Sequence, residues 1–429
     1  MSNSKFLQIH TLTSYPGTLL NRDDAGFAKR LPFGGSTRTR VSSQCLKYHW
    51  RNYEGENALY NMEVPRSYRS RETFQRLVAK PLIDDGYSEQ LVIALTYAFI
   101  TILGGKKLVK QKFEDNVKNL LMSEESQDSW EKLKTNQITI FGEPELRYLR
   151  ELISEKLNKL LEQYPSLGQN ISEAEEEAIN EAVKNFTEKD KEFHDNLKAL
   201  RTASGLDAAM FGRMVTSDVL ARGDAAIHVA HSFTTHEEES ESDYFSAVDE
   251  LRRDEPEESG ELGAGHINST ELSSGLFYQY VVIDLPLLIS NLEGVAREDW
   301  MDSDKTLAKE TIRRMIHLIA TVSPGAKLGS TAPYSYAQCM LIESGSAQPR
   351  TLANAFEKAV PKNGEGILAN SYKALGRYAS ELDAMYDLQF ERRLAGVGPV
   401  ELLREPLKLE DTFSVGTIAD WASEQTGET

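Results

Sequence analysis

The chain has 429 residues, of which 40% are hydrophobic and 27% are charged, and its mean hydropathy is -0.44. These values are typical of a folded protein and exclude intrinsic disorder and collagen-like composition. The longest apolar run, 91–103, is shorter than the roughly 20 residues that cross a bilayer, and the first residues lack a signal-peptide pattern. Two cysteines, Cys45 and Cys339, exclude a disulfide framework and a CxxC zinc site. We therefore predict a cytoplasmic protein of two or three domains with no membrane contact.

The net charge of -18 is unevenly distributed along the chain. Residues 1–112 carry 17 basic and 9 acidic side chains, whereas residues 237–262 carry 2 basic and 12 acidic ones. An acidic protein is a poor general partner for a polyanion, but a basic segment on an acidic body is compatible with one local polyanion site. Two solvated faces of opposite sign would give the same pattern.

The first predicted elements are a strand and a helix. Residues 6–14 alternate in the manner of a strand. Ser42 or Ser43 can act as the N-cap of a helix that ends near Arg51. Lys47 and Arg51 are four residues apart, so they share one face of that helix.

Residues 60–210 read as a charged, mostly helical insertion. Apolar residues recur there at spacings of three and four. The predicted helices are 72–82, 88–103, 143–164 and 172–200.

The remaining segments alternate between strands and helices. Strands are predicted at 224–233, 276–284 and 335–342, and helices at 304–321, 350–360 and 367–387. A long acidic arm lies between the second and third of the predicted strands. Without the two insertions, the order is strand, helix, strand, strand, helix, strand. This α+β order is the ferredoxin-like arrangement, which RNA-recognition domains share.

No assembled catalytic or metal site is predicted. His228 and His231 on one strand would point to opposite faces, so these two and His236 are expected to be packed or hydrogen-bonded histidines. The GxSxG, HExxH and GxxxxGK[ST] motifs are missing from the sequence. We therefore predict no enzyme activity and no cofactor.

Two features favour nucleic acid. Arg22, Arg30, Arg38, Arg40, Lys47 and Arg51 lie within thirty residues of one another. They stand beside Ser42, Ser43 and Gln44 at a helix start, where free N–H groups attract phosphate. Tyr244 and Phe245 are adjacent aromatics on the arm and could stack on unpaired bases. A solvated basic helix face and a small core under the arm are the alternatives, and Met214 fits ordinary core packing.

Short motifs that follow one another along the chain carry a resemblance to a known family. The chain resembles the CasC backbone subunits of the type I-E CRISPR surveillance complex, Cascade, which bind the guide RNA. The matching stretches are 20–24, 33–35, 40–47, 212–217, 230–236, 245–249, 273–278, 322–327 and 353–359.

The resemblance implies a hand-like architecture. It comprises a palm of RNA-recognition (ferredoxin-like) fold at 1–59, 210–235 and 273–429, helical fingers at 60–209, and a β-hairpin thumb at 236–272. Copies of such a subunit stack as a filament along the CRISPR RNA (crRNA), among other Cascade subunits. The thumb kinks the guide at regular intervals, and the remaining bases are displayed for pairing with target DNA.

By the same resemblance, particular residues are expected to contact RNA. Five would hold the guide backbone, two would flank the nucleotides at each kink, and three would be thumb contacts. They are, in that order, Arg22, Ser42, Gln44, Lys47 and Arg51; Met214 and Ile267; and Tyr244, Phe245 and Ser246.

Two alternatives stay open. A ferredoxin-like CRISPR RNA-processing endoribonuclease would need a general base, for which His10, His49 and His231 are the candidates. A homomeric scaffold would have no nucleic-acid role at all.

Overall fold

The structure is a computed structural model that describes residues 4–103, 126–163, 205–212, 224–248, 264–326 and 328–427. The chain forms two compact units. The first comprises Met1–Met62, Ile227–Pro286 and Asp304–Thr429, and the second comprises Glu63–Ala226 and Leu287–Ser303.

Strands occur in both units. In chain order they are β1 Phe6–Thr18, β2 Arg30–Phe33, β3 Ser36–Val41, β4 Ser67–Ser70, β5 Thr139–Gly142, β6 Ile227–Val229, β7 Ser232–Thr234, β8 Glu239–Val248, β9 Ala264–Asp284, β10 Cys339–Gly345 and β11 Glu391–Gly396.

The α-helices are numbered in the same way. They are α1 Ser43–Arg51, α2 Lys80–Asp84, α3 Glu89–Leu103, α4 Ser126–Glu131, α5 Glu143–Gln163, α6 Leu206–Phe211, α7 Leu285–Glu293, α8 Thr306–Thr321, α9 Leu328–Thr331, α10 Ile367–Tyr386, α11 Glu401–Arg404 and α12 Val415–Glu424. A π-helical turn at Gln75–Ala79 precedes α2.

The first unit is built on one antiparallel sheet. Its strand order is β11-β10-β1-β9-β7-β3-β2, and β6 and β8 also pair with β9. The fourth predicted strand (β10) therefore pairs with the first (β1), the first with the third (β9), and the third with the second (β6 and β7). This is the pairing order of a ferredoxin-like sheet, so the predicted α+β class is confirmed.

Both faces of this sheet are covered along its central strand, β1. Every residue from Leu7 to Thr13 in β1 is buried, including those on alternate faces. On one face Tyr278 packs among residues of α10, such as Tyr372 and Leu375. On the other side α12 packs against α8 and contacts β10 and β11. RNA-recognition modules stack bases on an exposed sheet face, and the described central strand β1 offers no such face between Leu7 and Thr13.

A charged network is buried beneath α10. The His10 ring donates from Nε2 to Glu343, and its Nδ1 accepts from the Tyr278 hydroxyl at 2.9 Å. Glu343 also pairs with Arg350 and Arg392. Burial lowers the pKa of His10, and the hydrogen bonds from His10 and Arg350 hold the pKa of Glu343 well below its usual range despite burial. The network is thus a neutral histidine against an ionised glutamate.

The second unit has its own apolar core. α3 and α5 pack together with the segment 74–82, and the core includes Phe99, Phe141 and Leu157. β4 and β5 form a two-stranded antiparallel sheet. No described helix is long and apolar enough to span a bilayer.

Several elements differ from the prediction. The helix expected at 350–360 is only a short 3-10 turn, Ala353–Phe356. The strand expected at 224–233 is divided into β6 and β7, and β2, β3, β4, β5 and β11 were not predicted. The helix expected at 172–200 lies outside the described residues.

Candidate nucleic-acid interface

The start of α1 is fixed by side chains that flank it. The Ser42 hydroxyl accepts from the backbone N–H of Cys45 at 3.3 Å, so Ser42 is the N-cap. Asn21 Oδ1 accepts from the Ser42 backbone N–H at 2.9 Å. This bond holds the segment that contains Arg22 beside the helix start. Leu46 and Trp50 anchor the opposite face of α1 in the core.

The predicted guide-binding residues lie along α1, from Ser42 and Gln44 at its start to Arg51 at its end, with Arg22 on the preceding segment. These residues, with Lys47, are called the α1 surface. Gln44 is exposed, Lys47 and Arg51 are half-buried, and Arg22 is exposed beside the bridge that its backbone makes with Ala28. Arg51 Nε donates to the Lys47 backbone carbonyl at 3.2 Å, and the four-residue spacing places the two side chains on one face of the helix. Ser42 is only 7% exposed, so the main role of its hydroxyl is to cap the N-terminus of α1.

Arg38 is not part of an open surface. Its side chain is fully buried, and its guanidinium donates to the carbonyls of Thr234, Thr235, Phe356 and Glu357. Gly34 has a φ of +60°, and a Cβ there would collide with the Glu357 carbonyl. Gly34 and Arg38 together therefore dock the β2–β3 hairpin, which is a structural role.

Arg30 is neutralised by acidic side chains. Its Nε donates to Glu238 at 2.6 Å, and its other guanidinium nitrogen pairs with Glu271. Glu239, in the nearby acidic stretch, also forms an ion pair, with Lys362 at 2.7 Å. One arginine of the hairpin is thus unavailable to a phosphate.

Arg40 has different neighbours. Its guanidinium lies 3.3 Å from Nδ1 of His231, and its Nε donates to the Arg30 carbonyl. Lys29 is held next to it, because the Arg40 backbone N–H donates to the Lys29 carbonyl at 2.8 Å. Within the described part of the chain, no carboxylate forms an ion pair with Lys29 or Arg40.

The three histidines considered as metal ligands take separate positions. His236 is buried, donates to the Glu237 carbonyl and accepts from the Leu276 N–H, as a packed histidine should. His228 and His231 are exposed, so neither is packed in the core, but His231 forms a hydrogen bond with Arg40, which the expectation of a packed or hydrogen-bonded histidine allowed. Among the described residues, no three His, Cys, Asp or Glu side chains are grouped to hold a metal ion.

A hairpin carries the predicted thumb residues. β8 pairs with the first half of β9, and this register sets Tyr244 opposite Ser269, Phe245 opposite Asn268 and Ser246 opposite Ile267. The backbone therefore brings Ser246 and Ile267 together, although they are far apart in sequence. The hairpin tip and Met214 lie outside the described residues.

Sequence reasoning missed Lys29 and treated His231 only as a metal ligand or a general base. Lys29 and Arg40 are eleven residues apart, and only the β2–β3 pairing unites them. His231 reaches them because Val41 pairs with Ser232 across two strands that are distant in sequence. The sequence signal that could have predicted this pair is a basic residue on each side of the Gly34–Gly35 turn, because a hairpin there brings the two residues together.

A family model described as CT1975-like protein matches residues 7–415. The chain belongs to the CT1975-like protein family. This match covers the sheet, the helix α1 and the hairpin described above. A search of curated proteins found no match.

Solved structures share the fold. One, titled "CRISPR RNA-guided surveillance complex, pre-nicking", is 24% identical with a TM-score of 0.68, and the alignment covers 98% of this chain and 100% of the other. Another, titled "CRISPR RNA-guided surveillance complex", is 20% identical with a TM-score of 0.51, covering 97% and 98% of the two chains. This chain therefore has the fold of subunits of CRISPR surveillance complexes.

Proposed function

We propose that this chain is a non-catalytic backbone subunit of a type I-E Cascade complex. In this proposal copies polymerise along the crRNA beside the other Cascade subunits and display the guide for pairing with target DNA. The palm, fingers and thumb have the boundaries given above, and the thumb kinks the guide. Family membership and the shared fold support a CRISPR role, and the cations of the α1 surface support RNA as the ligand.

The α1 surface is the observation that carries the proposal. Lys47 and Arg51 share one face of α1, and exposed Gln44 adds a neutral donor beside the helix start. Cations release counterions from a phosphate backbone, and helix N–H groups favour negative charge. Since both faces of the sheet are covered along β1, we expect a guide strand to run past α1 rather than across that part of the sheet.

For the alternative of an RNA-processing enzyme, the structure excludes His10, one of the three candidate general bases. His10 is fully buried and hydrogen-bonded to Glu343, so no RNA hydroxyl reaches it. His49 is half-buried, and its Nε2 accepts from the Gly325 N–H. His231 is the exposed candidate. Cleavage of repeat RNA by the purified protein, abolished in a His231→Ala variant, would favour the enzyme.

The test of the proposed function is the double variant Lys47→Ala with Arg51→Ala. We expect weaker binding to single-stranded RNA, and a slope of log affinity against log salt that falls by about 0.7 for each phosphate that the variant no longer binds. The matched control is Lys373→Ala with Arg377→Ala, which removes two exposed cations at the same spacing from α10.

An unchanged affinity and slope in the Lys47 and Arg51 variant would refute the assigned site. Fully assembled particles that contain no bound oligonucleotide would refute the function, and would favour the homomeric scaffold. Particles that disassemble on RNase treatment would support a filament built on RNA.

A further inference from the structure

We propose that Lys29, Arg40 and His231 form a phosphate-binding site that takes up a proton together with the phosphate. This inference rests on the proposed function, since it assigns a second phosphate contact and a pH dependence to the same RNA-binding edge. The ligand class is a phosphodiester of single-stranded nucleic acid. His231 changes from a hydrogen-bond acceptor of Arg40 into a charged donor to the phosphate.

The geometry sets two cations beside an exposed imidazole. Arg40 comes from the end of β3, Lys29 from the segment before β2, and His231 from the turn between β6 and β7. Because Val41 pairs with Ser232, His231 lies next to the start of α1. The three groups therefore adjoin the predicted site and extend it along the sheet edge.

Hydrogen-bond donors outnumber acceptors among the side chains of Lys29, Arg40 and His231. Arg40 has only donor groups, and the 3.3 Å contact with Nδ1 requires that nitrogen to accept, which keeps His231 neutral. Arg30, on the same hairpin, has two carboxylate partners. Lys29 and Arg40 have none within the described residues, so an external anion would supply the missing acceptor.

Charge repulsion ties protonation to the ligand. Partial desolvation, Arg40 and Lys29 all lower the pKa of His231 from its ordinary 6.5. A phosphate between these groups offsets both positive charges and raises that pKa. In the bound state Nδ1 carries a proton and donates to a phosphate oxygen, while Arg40 and Lys29 donate to the others. The proton comes from solvent, and no covalent bond changes.

The sign of the pH dependence follows by linkage. The bound form holds the proton more tightly, so affinity rises as pH falls through the bound-state pKa and levels off below the free-state pKa. Between these two values one linked proton changes the affinity by at most about tenfold per pH unit. Above the bound-state pKa this contribution disappears.

The test measures binding of the full-length protein to a rhodamine-labelled single-stranded RNA at constant salt, from about pH 8 to about pH 5.5. The His231→Asn variant keeps a neutral acceptor beside Arg40 but cannot take up the proton. We expect acidification to tighten binding by the wild-type protein at least severalfold more than binding by this variant. The control is His228→Asn, another exposed histidine of the same segment, which should retain the wild-type dependence.

Equal pH dependence in the wild-type protein and His231→Asn would overturn the proton-linked site. A His231→Gln variant gives the same comparison if His231→Asn fails to fold, as judged by thermal unfolding. Wild-type protein that binds no RNA at any pH would instead overturn the proposed function. Binding by the wild-type protein that is weakened in Arg40→Gln, together with a smaller pH dependence in His231→Asn, would support both.

Discussion

Two clusters in the first unit combine a histidine with arginines and have opposite surroundings. Beneath α10, His10 faces Glu343, and Arg350 and Arg392 pair with that same carboxylate. At the sheet edge, His231 faces Arg40 with Lys29 nearby, and no described carboxylate pairs with those cations. In the first cluster each arginine is paired with carboxylates of the chain itself, whereas the cations of the second have no carboxylate partner among the described residues.

The difference separates cations that stabilise the fold from those that can bind a ligand. A buried charge is tolerated only when it is paired, so removing one partner of such a pair is costly. An exposed cation without a partner contributes little to folding but is ready to release counterions from a polyanion. Residue type and position in the sequence do not distinguish the two cases, but the neighbours do.

The largest effect on stability should come from the complete cluster. Glu343→Gln leaves Arg350 and Arg392 to share a single carboxylate beneath α10, that of Asp383. We expect the free energy of unfolding to fall by about 3–5 kcal/mol. Chemical denaturation measures it. Glu365→Gln, which removes the exposed partner of Lys373, should cost about 0.5 kcal/mol. Similar decreases for both variants would show that the buried network does not carry this stability.

A second comparison uses two arginines of the same hairpin. We expect Arg40→Gln to weaken binding to single-stranded RNA by about 2 kcal/mol, because it removes a charged hydrogen-bond donor to phosphate, and to lower the salt slope. Arg30→Gln should leave the slope unchanged, since Glu238 and Glu271 already neutralise Arg30. Salt titrations of the two variants check this, and an equal decrease of the slope in both would remove the distinction drawn between them.

Much of the fold was accessible from the sequence. The alternation of 6–14, the serine at the start of α1 and the periodicity of 304–321 gave the strand and helix order, because local patterns encode these elements. Short strands escaped prediction. β2, β4 and β5 have four residues each, too few to show a period, and their stability comes from pairing with distant segments.

The site was predictable only in part. The residues on α1 follow from a local spacing, and the resemblance added Arg22 and the thumb positions. The roles of Arg30, Arg38 and Arg40 could not be separated in the sequence, because their partners come from segments around 234, 238, 271 and 356. Pairing across the sheet decides which of the three is buried, neutralised or open.

The smallest expected effect separates helix capping from RNA binding at Ser42. Ser42→Ala removes the acceptor for the Cys45 N–H, and Ser414→Ala removes the equivalent acceptor for the Thr417 N–H at the start of α12. Each should lower the free energy of unfolding by about 1 kcal/mol, the usual cost of removing an N-cap. If the hydroxyl of Ser42 also binds the guide, only Ser42→Ala should weaken RNA binding, measured by titration under conditions where both variants are folded. Equal RNA affinities of the two variants would mean that Ser42 contributes to the site solely by holding the start of α1.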